Sequence, residues 1–257
     1  MWSRRLWATL AYLACAFGIG EAQEKTVNRV DKIHEAIDAV FPGGHFRAEQ
    51  TTWASGGIDF NGDGMNDLAV IAIGGINNSE VRLLVLAGGV GGGYTPLSVS
   101  GEICHVNKWY NLSASTVGKS FEVEFFYSGD ATQSSSSTLK FRYNARLNDF
   151  ELVGREDQST NHDENTSYRV SVNYLTKTVM HSRRLGKSYI ERRTAVDGIE
   201  EIVEHSRQAG RYREVKAQFD SSALFRLQGF DCESYYKEDP AGVLPLYIEE
   251  DFTVRRR

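Results

Sequence analysis

The sequence predicts a mainly β, α+β fold: an antiparallel sheet or meander carrying one N-terminal amphipathic helix. Three observations lead there. Short runs rich in β-branched and aromatic residues recur from Phe46 onward, several of them alternating apolar with polar. One earlier stretch, Val27 to Phe41, repeats its apolar residues at helical spacing instead. Between them, acidic, amide and glycine residues crowd into Asp59-Phe60-Asn61-Gly62-Asp63-Gly64-Met65-Asn66-Asp67, directly before an apolar run.

In the helix, Val30, Ile33, Ile37, Val40 and Phe41 form the apolar stripe, and Arg29, Asp31, Lys32, Glu35 and Asp38 lie opposite. Pro42-Gly43-Gly44 stops it. Strands are expected at Phe46 to Trp53, Leu68 to Ile73, Val81 to Leu86, Tyr94 to Val99 and Phe121 to Tyr127. Gly88 to Gly93 reads as a hairpin connection, and Ser134 to Ser137 as a flexible turn. Thr138 to Tyr143 and Phe150 to Val153 form a hairpin around Asn148-Asp149. The polar residues 156 to 167 predict a long loop, and Tyr168 to Tyr174 and Lys177 to His181 resume the β pattern. Further on, Ile199 to Arg207 reads as a short charged helix, and Tyr212 to Phe219 and Ala223 to Phe230 as strands. Cys232 to Val254 is acidic and aromatic, with Pro240 and Pro245 limiting regular structure.

The Asp59 stretch carries the chemistry. Calcium takes about six to eight oxygen ligands in flexible geometry. Asp59, Asn61 and Asp63 alternate along a tight loop, Gly64 permits a positive φ, the Met65 carbonyl supplies a backbone ligand and Asp67 closes the set. An EF-hand requires a bidentate Glu at the twelfth position, where Val70 stands, and a strand follows rather than a helix. An Asx-rich turn without metal is the other reading, because Asn, Asp and Gly dominate turns generally. Nearly all ligands come from the loop itself, which favours a structural ion over a catalytic one.

Over residues 59 to 68 the loop resembles the metal loop of FG-GAP or VCBS-type repeats, D-x-[DN]-x-D-G-x-x-D-L. The resemblance implies calcium, with Asp59, Asn61, Asp63 and Asp67 at the side-chain ligand positions. A propeller repeats such a motif in every blade, and only one copy is present, so a full propeller is not expected. From about residue 55 to 180 the chain is similar to a group of uncharacterised bacterial secreted or periplasmic proteins. The runs TLKFRYNARLNDFELVGRE and SYRVSVNYLT carry that similarity. It implies an envelope location and no established activity.

The first 22 residues read as a secretory signal peptide. Arg4 and Arg5 precede an apolar run from Leu6 to Ile19, and Gly20 and Ala22 supply the small residues of a cleavage site before Gln23. A periplasmic or secreted protein follows, with 23 to 257 expected as a single β-rich domain and no stable membrane span. Tyr12-Leu13-Ala14-Cys15 only approximates a lipobox, since Tyr12 stands where Leu is usual. The net charge of −5 becomes one unit more negative when Arg4, Arg5 and Glu21 leave, which disfavours a nucleic-acid partner.

Cys104 and Cys232 then remain, and two cysteines in an exported chain favour one disulfide. Closing a loop of about 130 residues, it contributes about 4 kcal/mol on the chain-entropy account. Two buried free thiols are the alternative.

Other motifs fail on context. The glycines 88 to 93 lead into an extended segment rather than a phosphate-binding helix. Gly118-Lys119-Ser120 and Gly186-Lys187-Ser188 mimic the end of a P-loop, but its first glycine is replaced by Ser113 and His181. The histidines at 34, 45, 105, 162, 181 and 205 have no zinc-site spacing, and no nucleophile elbow is present. With no catalytic constellation, the expected class is an exported calcium-binding β protein that acts by protein recognition. An inhibitor or immunity-type partner of an envelope-acting toxin is one form of it. A glycan or cell-wall-binding module is the alternative, with Phe125-Phe126-Tyr127 and Tyr235-Tyr236 as platforms.

Overall fold

The run Leu68–Gly74 is apolar at successive positions because it is buried on both faces. In the computed structural model, Leu68, Val70 and Ala72 meet the helix at residues 29–40 (α1), whereas Ala69 and Ile71 meet a second sheet. That period of two places the strand in the middle layer of three. The structure describes residues 29–43, 45–52, 58–75, 80–103, 109–115, 119–128, 133–186, 188–194, 200–206, 213–219, 224–231, 246–248 and 254–256.

The middle layer is a four-stranded antiparallel sheet in chain order: β1 (Arg47–Thr51), β2 (Leu68–Gly74), β3 (Glu80–Gly88) and β4 (Tyr94–Glu102). On its outer face, Ile33, Ala36 and Ile37 of α1 pack with Phe46, Leu84 and Leu86. Val40 and Phe41 border this cluster, while Val30, one end of the expected stripe, is 36% exposed.

The other layer is a seven-stranded antiparallel sheet. It runs as a meander through β5 (Trp109–Ser115), β6 (Ser120–Ser128), β7 (Gln133–Asn144), β8 (Asp149–Asn161), β9 (Thr166–Asn173) and β10 (Thr178–Leu185). After an excursion through the hairpin β11 (Ser188–Thr194) and β12 (Glu200–Ser206), β13 (Arg213–Gln218) returns to pair with β10. A short pair, β14 (Leu246–Ile248) and β15 (Val254–Arg256), completes the described residues. The core lies between the sheets, where Phe60, Phe121, Phe141 and Phe150 are fully buried. The architecture is thus mainly β with one helix among the described residues, two open antiparallel sheets, and neither a closed barrel nor a propeller. No described helix is long and apolar enough to cross a membrane.

Several local expectations are corrected. Ser134 to Ser137 are not a turn: they extend β7 and pair with Asp157 to Thr160. Residues 156–161 likewise continue β8, leaving only 162–165 as a turn into β9. These stretches sit where the large sheet projects past its apolar core, so ladder hydrogen bonds hold them without an apolar face to announce them. Within the expected Ile199 to Arg207 helix, the described residues 200–206 are strand β12, paired along its length with β11; partner and register outweigh a weak helical propensity. Ala223 to Phe230 is not a strand of its own. Its residues 224–230 lie along the first half of β8, where the Leu152 amide donates to the Phe225 carbonyl (2.8 Å) and the Leu227 amide to that of Phe150 (2.7 Å). The hairpin readings at 88–93 and 148–149 hold, with β3 paired to β4 and β7 to β8.

The signal peptide, Cys104, Cys232, Trp53 and Tyr235-Tyr236 lie outside the described residues.

Candidate metal centre

The loop between residues 58 and 67 is folded by a division of labour that its alternation dictates. Phe60 points inward and is fully buried, its ring edge-on to Phe121 (centroids 5.9 Å apart) and to Phe150 (5.2 Å). Its neighbours Asp59 and Asn61, and Asp63 beyond, stay on the surface side. The ends are clasped by the Asp67 amide, which donates to the Ile58 carbonyl at 2.7 Å.

Between the ends, side-chain oxygens collect main-chain amides. Asp59 Oδ1 accepts from Gly62 (2.5 Å) and Asp63 (3.1 Å), and Oδ2 accepts from Gly64 (3.0 Å). Asn61 Oδ1 accepts from the Asp63 amide (2.9 Å), and Asp63 Oδ1 from Met65 (2.7 Å). Asn61 Nδ2 donates to Asp63 Oδ2 at 2.8 Å. The sharp turning falls on Gly62 and Gly64, both at φ 86°, where a side chain is strained.

Asp67 is placed differently. It is completely buried, and its Oδ2 accepts from the amides of Phe60 (2.8 Å) and Asn61 (3.2 Å) while Oδ1 accepts from Gly88 at the end of β3 (3.0 Å). Three of the four lone-pair sites of the carboxylate are filled, and one remains on Oδ1. Gly88 is needed there because a Cβ would stand 2.3 Å from the Asn66 carbonyl oxygen. Burial pushes the Asp67 carboxyl above its ordinary value, against the three amides, and the Asp63 charge adds to the rise.

Asp59 goes the other way. Burial works to raise it, but the amides of Gly64 and Gly62, the Lys119 charge and the Asp63 amide together hold it below the usual carboxylate value. Lys119 immediately precedes β6, and its ammonium stands beside Gly62, 2.9 Å from where a Cβ would be. Tyr143, at the end of β7, joins the same region. Its amide donates to the Lys119 carbonyl (3.1 Å), its hydroxyl donates to Asn148 Oδ1 (2.7 Å), and burial, helped by the Asp67 charge, raises its phenol. The loop therefore sits where both sheets meet.

The fit to a metal can be tested on these donors. Asp59, Asn61, Asp63 and the Met65 carbonyl supply hard oxygens from one short exposed loop, which suits calcium and not a soft metal. The Lys119 ammonium already stands beside Gly62, and its charge acts on Asp59. Among the described residues no three His, Cys, Asp or Glu side chains group as metal ligands. The oxygens this loop offers are those of the half-buried Asp59 and exposed Asp63 carboxylates, the Asn61 amide and the Met65 main-chain carbonyl.

The structure joins the two sheets at a second buried acid that the sequence did not single out. Asp149 Oδ1 accepts from Ser98 Oγ of β4 (2.5 Å), and its Oδ2 accepts from the Gln228 amide (3.3 Å). Lys119 and Gly88 were also missed as loop partners, since no spacing rule links positions that far apart. Of the aromatic run, Phe125 is in the core and Phe126 is 39% exposed. The chain matches no protein-family model, no curated protein and no solved structure.

Proposed function

We propose that Asp59, Asn61, Asp63 and the Met65 carbonyl hold a structural calcium ion, while Asp67, expected from the sequence to close the ligand set, braces the loop from beneath because its buried carboxylate is taken up by three main-chain amides. The ion would neutralise carboxylates that otherwise repel one another and would tie the loop to the sandwich end. The observation that carries the reading is the burial of Asp67 with three main-chain amides on it, which holds the exposed oxygens of the loop in place before any ion arrives. The chain is then a calcium-stapled, exported β protein whose sandwich end recognises a protein partner. Beside the loop stand Lys119 and Gly88, the last residue of β3, with Met65 36% exposed. An envelope-acting toxin is one such partner.

Calcium at 100 times its dissociation constant adds ~2.7 kcal/mol to folding stability. Melting followed by circular dichroism is expected to shift upward in calcium and back in chelator, and Asp63→Ala to lose that shift. A wild-type protein that melts identically in both buffers returns the loop to a plain turn. For recognition, tagged protein retained on envelope extract is expected to bring down one stoichiometric protein in calcium. Retention on glycan with no protein partner overturns that part.

A Cys104–Cys232 bridge belongs to the same proposal. The residues leading into each cysteine are neighbours: the Gly229 amide donates to the Val99 carbonyl (3.3 Å), and a Cβ at Gly101 would meet the Phe230 carbonyl oxygen at 3.0 Å. Unfolded without reductant, the purified protein is expected to show no free thiol to a thiol-reactive dye. Two reactive thiols contradict the bridge.

A further inference from the structure

We propose that Lys119 is a tethered counter-cation of the loop, placed to compete with calcium and so to set its affinity. The inference rests on the calcium reading above. Two features fix the lysine. Its main chain is held in the left-handed region (φ 50°), with its carbonyl taken by the Tyr143 amide and the next residue, Ser120, buried at 2% exposure. Its ammonium reaches across to Gly62, and the missing side chain of that glycine leaves the room it occupies. Gly62 is also the residue whose amide clamps Asp59 Oδ1, so the ammonium stands beside the clamp of the first candidate ligand, close enough for its charge to act on Asp59. Lys119 is exposed, which leaves its flexible stem free to swing away when a divalent ion arrives.

The consequence is electrostatic. Without calcium, the ammonium relieves part of the repulsion among Asp59, Asp63 and Asp67. With calcium bound, the same charge faces a doubly positive ion and weakens its hold. At a surface site, one unit charge close to a divalent ion alters affinity by roughly three- to tenfold. The lysine thereby keeps the loop folded when empty and its calcium exchangeable.

Calorimetric titration of calcium chloride into the full chain tests this with wild type, Lys119→Gln and Lys119→Arg, each at low and high salt. Lys119→Gln is expected to bind roughly three- to tenfold more tightly at low salt, Lys119→Arg to stay near wild type, and the gap to shrink at high salt. In chelator, Lys119→Gln is expected to melt below wild type, a readout independent of binding. Wild type that binds calcium with Lys119→Gln at the same or weaker affinity overturns the role of Lys119 alone. Absence of binding heat from all three proteins overturns the calcium reading and this inference with it.

Discussion

Replacing Asp67 with alanine is expected to lower folding stability by about 3–4 kcal/mol, since each buried donor left without its acceptor costs about 1–3 kcal/mol. The carboxylate receives three main-chain amides, from Phe60 and Asn61 within the loop and from Gly88 on β3, and it is fully buried. Removing it strands the Phe60 donor inside the protein and frees the loop from the sheet. Chemical denaturation in chelator is the measurement, so that lost calcium does not enter the result. A loss below about 0.5 kcal/mol, ordinary for a surface substitution, contradicts the bracing role.

The pH dependence has a defined sign. Burial raises the Asp67 carboxyl above its ordinary unfolded value. A carboxyl raised on folding contributes stability that is fully present below the unfolded value and is lost as pH rises through the folded value. Asp67→Asn does not titrate, so its stability profile is expected to lack that falling limb while the rest of the curve is kept.

Phe60→Ala is expected to cost about 3–5 kcal/mol, the range for emptying an aromatic site in a core that cannot collapse around the gap. Phe60 is the one loop side chain driven into the inter-sheet core, and it packs edge-on against Phe121 and Phe150 of the opposite sheet. Its loss removes packing contacts and the inward anchor of the loop together. Calcium affinity is therefore expected to weaken along with stability, even though Phe60 offers no ligand. Phe60→Leu, which keeps most of the apolar volume, is expected to recover a large part of both. Calcium affinity unchanged in Phe60→Ala, measured well below its melting point, separates loop geometry from core packing. The Phe60 and Asp67 effects are not additive, since the Phe60 amide is itself a donor to Asp67.

The amino-acid order by itself determined the elements whose signal is local. The helical stripe around Ile33 and Ile37, the apolar run from Leu68, and the Thr138-to-Val153 hairpin all follow from periodicity and turn residues within a few positions. The outline of the loop is local too, because its alternating oxygens and two glycines lie within nine residues. Tertiary structure decided what depends on distant partners. Strand pairing alone makes strands of the polar residues 156–161 and the charged β12, as both lack an apolar face of their own. Within the loop, Asp63 and Asp67 are the same residue type four positions apart. One faces solvent and the other is sealed under Phe60 and Gly88, a difference in dielectric that no pattern in the chain encodes. The position of Lys119 beside Gly62 has the same origin: sheet-on-sheet packing brings together charges that sequence keeps far apart.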